Sequence, residues 1–157
     1  MKVWLLALLF LVTTVQAETL SGRVVGVADG DTITILDNTN TQYKIRLAGI
    51  DAPEKKQPFG SVSKKSLSDM VYGKQVSVDY SKQDRYGRTV GKVLVNGVDA
   101  NLEQVKHGFA WFYKKYQNEQ SLQDRLDYLN AQEAAETSKV GLWVEPNPVA
   151  PWGFRKK

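Results

Sequence analysis

Carboxylates and guanidinium groups recur together in three short stretches of this sequence. Residues 46–54 read Arg-Leu-Ala-Gly-Ile-Asp-Ala-Pro-Glu, residues 29–32 read Asp-Gly-Asp-Thr, and residues 84–88 read Asp-Arg-Tyr-Gly-Arg. Carboxylate oxygens bind hard cations such as calcium and magnesium. Guanidinium groups bind phosphate oxygens bidentately and keep their proton at any working pH. The combination therefore suits a site that holds a cation beside a phosphodiester.

Each stretch also has a plainer interpretation when it is taken alone. Asp31 and Asp51 lie at or beside turns, where an aspartate often hydrogen-bonds to its own backbone. Arg46 and Arg88 could each form a surface salt bridge with a neighbouring acid. The case for a functional site therefore depends on whether the fold brings the three stretches together.

The apolar pattern predicts an α+β domain that could do so. Alternating β-branched and apolar residues predict strands, and Asp-Gly between two such runs predicts a hairpin. Apolar residues at helical spacing predict helices, the clearest of which contains Leu122, Leu126 and Leu129. The predicted strands are residues 19–28, 31–36, 41–48, 75–80 and 89–95, and the predicted helices are residues 59–72, residues 99–107 and a last helix that contains Leu122 and is ended by Gly141. This element count fits a small closed five-stranded barrel flanked by three α-helices.

The two ends of the chain differ from this domain. Lys2 precedes an apolar run over residues 3–12, and small residues near Ala17 offer a cleavage site, which is the layout of a secretory signal peptide. A membrane span and a short buried helix are the alternatives, but a span needs about 20 apolar residues. We therefore expect residues 1–17 to be a signal peptide and residues 18–143 to be the folded domain. Residues 144–157 then form a proline-containing basic C-terminal tail, expected to be an extended arm or a loose end.

Composition sets broad limits on partners and chemistry. The formal net charge of the 157-residue chain is +4 and its pI is about 9.2, which suits a polyanionic partner without requiring one. The chain has no cysteine. Thiolate metal sites, cysteine nucleophiles and disulfides are therefore excluded, and core packing must hold the exported domain together.

The three stretches, in this order and at this spacing, resemble those of the staphylococcal (micrococcal) nuclease family. The resemblance covers roughly residues 20–143, nearly the whole chain after the signal peptide. Each motif is short, but the ordered set is specific. The resemblance makes residues 18–143 a nuclease domain and implies a five-stranded OB-type β-barrel with three α-helices, in agreement with the element count.

The resemblance also implies a metal site for one Ca²⁺ ion. Asp31 and Asp51 match the calcium-binding carboxylates of the family, and the backbone carbonyl of Ala52 matches a third protein ligand. The best-known member has threonine at the position of Ala52. That departure changes nothing if only the carbonyl binds the metal.

Three further residues match the catalytic groups of the family. Glu54 matches the glutamate that positions or deprotonates the attacking water, and Arg46 and Arg88 match the two arginines that bind the scissile phosphate. Tyrosines that contact the nucleotide fall in the region of residues 109–116, where the register leaves Tyr113 and Tyr116 as the two candidates. Core packing is the alternative role of this aromatic run.

The expected protein is an exported, secreted or periplasmic monomer without stable membrane association once the signal peptide is cleaved. Its expected activity is a calcium-dependent phosphodiesterase that acts endonucleolytically on DNA and also on RNA. In-line attack by water would release the 5′-oxygen and leave 3′-phosphate ends.

Two alternatives belong to other functional classes. A non-catalytic barrel could bind single-stranded nucleic acid, but such members of the family typically lose acids or arginines that this chain keeps. A calcium-stabilised structural module would leave Arg46 and Arg88 without a role.

Overall fold

A computed structural model describes residues 17–156 of the chain. The predicted signal peptide lies outside these residues, except for Ala17. Within residues 17–156 no helix has both the length and the apolar character needed to span a membrane.

Eight strands occur in the described part of the chain, and the five long ones form a closed barrel. The strands are β1 (Glu18–Asp29), β2 (Thr32–Leu36), β3 (Gln42–Leu47), β4 (Ile50–Asp51), β5 (Gln75–Gln83), β6 (Thr89–Val95), β7 (Val98–Asp99) and β8 (Trp111–Phe112). The barrel order is β3, β2, β1, β5 and β6 with antiparallel neighbours, and a parallel pairing of β3 with β6 closes it. The predicted five-stranded OB-type barrel is therefore confirmed.

Alternation along the strands gives the barrel its core. In β3, Ile45 and Leu47 are fully buried, whereas Lys44 is exposed and Arg46 is partly exposed. Ile33 and Ile35 of β2 are fully buried in the same cluster. This period of two is what a strand with one buried face requires.

The helices pack around the barrel in chain order. They are α1 (Gly60–Val71), α2 (Ala100–Lys106), α3 (Leu122–Ser138) and α4 (Pro151–Phe154), with 3₁₀ helices at Lys114–Glu119 and Gly141–Val144. The side chain of Asp99 caps α2 by accepting a hydrogen bond from the N–H of Leu102 at 3.0 Å. Helix α2 lies between α1 and α3 and contacts β6. The three predicted helices are present, and α4 is a short addition.

The leucine spacing that predicts α3 does not mark its buried face. Leu122, Leu126 and Leu129 are all exposed, whereas Tyr128 and Ala135 are buried. The hydroxyl of Tyr128 donates a hydrogen bond of 2.7 Å to Asp99, so a buried tyrosine connects α3 to the start of α2. The helix is where the pattern predicts it, but it is rotated relative to the leucine stripe.

The segment after Val144 differs from the extended arm that its prolines and charges predict. It turns back over the domain, and its short helix α4 begins at the buried Pro151. The indole of Trp152 stacks on the ring of Tyr113, with ring centroids 5.0 Å apart and an interplanar angle of 7°. The segment is therefore part of the packed structure.

Candidate active site

One cleft of about 760 Å³ collects every residue that the sequence predicts for the site. It lies where the β1–β2 turn, the end of β3, the β4 region and the β5–β6 turn meet. The predicted residues that line it are Asp31, Arg46, Asp51, Ala52, Glu54, Arg88, Tyr113 and Tyr116. The fold thus brings the three charged stretches together, although their individual roles stay predictions.

Asp31 connects the β1–β2 turn to the stretch that contains Asp51. Its Oδ2 accepts a hydrogen bond of 2.7 Å from the backbone N–H of Ala52, and its Oδ1 accepts one of 3.0 Å from the hydroxyl of Thr32. Asp29 instead serves the turn itself, because its Oδ1 accepts the N–H of Asp31 at 3.1 Å. Asp31 therefore joins two loops, whereas Asp29 stabilises the turn between β1 and β2.

Two buried amides of α2 hold the loops that carry these acids. Gln104 donates from Nε2 to the carbonyl oxygen of Gly30 at 2.8 Å, and Gly30 lies between Asp29 and Asp31. Asn101 donates from Nδ2 to the carbonyl oxygens of Ala48 and Gly91, both at 3.1 Å. Both amides are fully buried. The acidic loops are thereby fixed by a helix that does not line the cleft.

Strand β3 places Arg46 between the two predicted metal carboxylates. Its Nη2 lies 3.6 Å from Oδ2 of Asp31 and 3.5 Å from Oδ1 of Asp51, while its Nη1 donates to the carbonyl of Leu47 at 2.6 Å. Both acids are almost completely buried. Arg46 therefore forms salt bridges, but its partners are buried acids of the cleft and not acids on the surface.

The loop that carries Glu54 is fixed at both of its ends. Before it, β4 pairs with β8, so that Asp51 lies opposite Trp111. After it, the carbonyl oxygen of Glu54 packs on Gly60 at the start of α1, where an added Cβ would lie only 2.0 Å from that oxygen. Between them, Gln57 accepts the N–H of Glu54 at 3.0 Å. The backbone of Glu54 is thus held by Gln57 through its N–H and by Gly60 at its carbonyl oxygen.

The β5–β6 turn orients Arg88 through Asp84. Oδ1 of Asp84 accepts the backbone N–H groups of Tyr86 and Arg88 at 2.9 and 3.0 Å, and its Oδ2 accepts from Nε of Arg88 at 2.7 Å. Within residues 17–156 the terminal nitrogens of Arg88 make no hydrogen bond. Asp84 therefore aims the guanidinium and leaves its outer edge available to an acceptor in the cleft.

The two candidate tyrosines form an edge-to-face pair. Their ring centroids are 4.8 Å apart at an interplanar angle of 90°. Trp152 stacks on Tyr113, whereas Tyr116 is exposed and has the ammonium groups of Lys82 and Lys115 within 6 Å of its ring centroid, at 5.8 and 5.6 Å. A basic, aromatic rim of this kind suits nucleic acid.

One charged residue of the cleft was missed by the sequence analysis. Arg155 donates from Nη2 to Oδ2 of Asp51 at 2.8 Å and from Nη1 to Oδ1 of Asp51 at 3.2 Å. The same Nη1 lies 2.6 Å from Oε1 of Glu54. The only signal in the sequence was the basic end of the tail, and no local pattern connects it with acids about a hundred residues earlier.

Burial acts on the pKa values of Asp29, Asp31 and Asp51, with unequal results. Burial, reinforced by the nearby charge of Asp31, raises the pKa of Asp29 to about 7. At Asp31 burial is outweighed by Arg46 and by hydrogen bonds, so its pKa is held below the ordinary value. Burial raises the pKa of Asp51 even though Arg155 opposes the rise. The surroundings therefore favour the ionised form of Asp31 and the protonated form of Asp29.

The donor groups of the cleft fit a hard cation in part. Asp31, Asp51 and a backbone carbonyl supply oxygen only, as calcium and magnesium prefer. Two buried carboxylates that converge on one guanidinium nitrogen also form a place where positive charge is favourable. Among residues 17–156 no three His, Asp or Glu side chains are grouped closely enough to hold a metal. A metal here would therefore take much of its coordination from carbonyl, water or phosphate oxygens.

Comparison with known proteins supports the same class of site. A family model described as staphylococcal nuclease homologue matches residues 44–145. The chain is 44% identical over 159 residues to an uncharacterized endonuclease of Haemophilus influenzae, with 99% of this chain and 86% of the relative covered. It is 42% identical over 137 residues to an uncharacterized endonuclease of Escherichia coli (87% and 85% covered). It is 37% identical over 144 residues to a micrococcal nuclease of Shigella flexneri (86% and 80% covered).

The family model covers two of the three motifs, and the three relatives align over 86–99% of this chain and 80–86% of their own length. They confirm the resemblance and the prediction of a hydrolytic nuclease, both of which rested on the order and spacing of the charged stretches. On the evidence of its motifs, its closed barrel and its relatives, the chain belongs to the staphylococcal nuclease family.

Proposed function

We propose that this nuclease is a calcium-dependent endonuclease that hydrolyses DNA and RNA and leaves 3′-phosphate ends. One observation carries the proposal: paired buried carboxylates, a carboxylate at the rim and two arginines line the same cleft. A phosphodiester needs its charge neutralised and a water activated beside it, and these side chains supply both.

Asp31, Asp51 and the carbonyl of Ala52 would hold the calcium ion. Bound calcium would neutralise phosphate charge and orient the scissile group. The N–H of Ala52 already donates to Asp31, so the two loops that contribute these groups are joined before any ligand binds. The site therefore needs little rearrangement of its backbone to bind a cation.

Glu54 would hold the attacking water, either as a general base or as a hydrogen-bond acceptor that positions it. The water oxygen bonds to phosphorus in line with the departing 5′-oxygen, whose bond to phosphorus breaks, so the phosphate stays on the 3′ side. The contacts at Gln57 and Gly60 support this assignment, because they fix the backbone of Glu54 at the cleft.

Arg46 and Arg88 would stabilise the extra negative charge of the five-coordinate transition state. Arg88 is aimed through Nε by Asp84, which leaves its outer nitrogens for phosphate oxygens. Arg46 lies against the metal carboxylates and would contact a phosphate oxygen from that side. One guanidinium thus approaches the phosphate from strand β3 and the other from the β5–β6 turn.

Digestion of plasmid DNA and of RNA with calcium, with magnesium and with a chelator tests the proposal. We expect internal cleavage of both nucleic acids with calcium, 3′-phosphate ends in the products, and no cleavage with chelator. Full activity in chelator would refute the metal role. Nucleic acid that stays intact but bound under every condition would favour a binding module.

Glu54→Gln tests the role of the rim carboxylate. We expect turnover to fall while substrate binding is retained, because the amide keeps the shape but accepts no proton. Glu119→Gln is the matched control, since Glu119 lines the same cleft but pairs with Lys82. Loss of substrate or calcium binding in Glu54→Gln would instead make Glu54 a ligand.

We also propose export, with cleavage after Ala17, and a monomeric mature protein free of the membrane. The apolar run that follows Lys2 supports export. Mass spectrometry of the mature protein and its distribution between periplasm and medium test cleavage and location. Retention of residues 1–17 in the membrane fraction would contradict the proposal, and size-exclusion chromatography tests the monomer.

A further inference from the structure

Arg155 of the C-terminal segment lines the cleft that the proposed function uses. Arg155 bonds to both carboxylate oxygens of Asp51 and to Glu54, at 2.8, 3.2 and 2.6 Å. Asp51 is the predicted metal ligand and Glu54 the predicted water-holding group. A guanidinium therefore occupies the acceptor groups that the reaction assigns to a metal ion and to a water.

This contact is anchored by the residues that precede Arg155. Pro151 is buried, and Trp152 is stacked on Tyr113 and packed edge-on against Trp111, with ring centroids 5.0 and 5.5 Å apart. The side chain of Gln57, which also holds the N–H of Glu54, donates to the carbonyl of Val149. Helix α4 is thus fixed at the cleft wall, and its guanidinium is presented to the acids from one side.

The acids give a physical reason for the contact. Asp51 is only 2% exposed, and a buried carboxylate without a partner is costly. Arg46 faces Asp51 at 3.5 Å and is shared with Asp31, so it provides only part of the compensation. Arg155 completes it with two charge-assisted hydrogen bonds.

We propose that Arg155 is a further active-site residue that fills the cation position in the metal-free protein and is displaced by calcium. The inference rests on the proposed metal site at Asp31 and Asp51. Calcium and Arg155 compete for the same oxygens of Asp51, because a guanidinium bonded to both oxygens repels a second cation at that carboxylate. The C-terminal segment therefore sets the calcium concentration at which the site fills.

The side chain of Arg155 can leave without unfolding the segment. It is 42% exposed, whereas the anchoring contacts lie at Val149, Pro151 and Trp152. Rotation of a long side chain is enough to release Asp51, and the guanidinium then stays beside the rim of the cleft. Calcium binding at Asp51 thus requires movement of the Arg155 side chain, while the fold of the domain is unchanged.

Calorimetric titration of calcium into the metal-free protein tests this competition without measuring activity. For Arg155→Gln we expect the dissociation constant to fall about tenfold, since a competing charge-assisted pair is removed. For Arg155→Lys we expect an intermediate value, because an ammonium keeps the charge but loses the two-pronged geometry. Arg85→Gln is the matched control: Arg85 lines the same cleft but bonds to Tyr86, so its calcium affinity should change less than about twofold.

Nuclear magnetic resonance of the arginine side chains gives a second measurement on the wild-type protein. Calcium should shift the Nε–H signal of Arg155 in parallel with the calorimetric saturation. Equal calcium dissociation constants for wild type and Arg155→Gln would overturn the role of Arg155 and leave the proposed function intact. An Arg155 signal that calcium does not shift would have the same meaning. Equal gains in affinity for Arg155→Gln and Arg85→Gln would reduce the effect to net charge and overturn the competition. Absence of calcium binding by every variant would overturn both proposals.

Discussion

Replacing Gly60 with alanine should misplace Glu54 without removing any charged group. The new Cβ would lie 2.0 Å from the carbonyl oxygen of Glu54 and 3.2 Å from that of Lys55. Ordinary contact begins at 3.4 Å, so the loop and the helix must separate by the difference, about 1.4 Å. A displacement of about 1 Å can cost a reaction about 100-fold in rate. We therefore expect kcat to fall about 100-fold.

The variant should still fold. Overpacking typically costs about 1–3 kcal/mol, which is less than the usual 5–15 kcal/mol of domain stability. Urea denaturation measures this loss, and cleavage of plasmid DNA at saturating calcium measures kcat. Gly26→Ala is the matched control, because a Cβ on this β1 residue would have its nearest neighbour at 3.6 Å and should leave kcat within about twofold. A folded Gly60→Ala protein with kcat within threefold of wild type would refute the argument that backbone contact at Gly60 positions Glu54.

Three further predictions concern other contacts. Arg88→Ala should lower kcat about 10²–10³-fold with little change in calcium affinity, because Arg88 bonds to Asp84 and forms no salt bridge with Asp31 or Asp51; near-normal kcat would remove it from the mechanism. Asn101→Ala should lower the free energy of unfolding by about 2–6 kcal/mol in urea denaturation, since it leaves a β6 N–H and a loop carbonyl unsatisfied at about 1–3 kcal/mol each; a loss below 1 kcal/mol would contradict this. Burial raises the pKa of Asp99, and the hydrogen bond from Tyr128 opposes that rise by favouring the carboxylate. Tyr128→Phe should therefore cost about 1–3 kcal/mol at pH 7 and less at acidic pH, once Asp99 is protonated in both proteins; a loss independent of pH would show that Asp99 is not its source.

The parts of the fold that the sequence predicts are those determined by local patterns. The alternation of Ile45 and Leu47 with polar neighbours depends on a period that any paired strand shares. The cap formed by Asp99 depends only on the next three residues. The order of the three charged stretches along a known kind of barrel predicted that they converge, and residues of all three line the cleft.

The features that escaped prediction depend on contacts between distant segments. Arg155 meets Asp51 because helix α4 packs on aromatic residues of the β8 region, and nothing near either residue encodes that docking. The rotation of α3 has a similar origin. Tyr128 gains a buried partner in Asp99, which the leucine stripe could not offer, so burial follows the tyrosine. In both cases a specific partner decided the outcome.

Closure of the barrel also affects the tendency of this protein to aggregate at high concentration. Sheet edges with unpaired N–H and C=O groups are sites where one chain can add to another and aggregate. Because residues 45–47 of β3 pair with residues 89–91 of β6, the barrel seam offers no such free edge along these residues. The domain has no disulfide to hold that seam shut. Local opening between β3 and β6 would expose two strand edges at once and would create a new site for self-association of this nuclease.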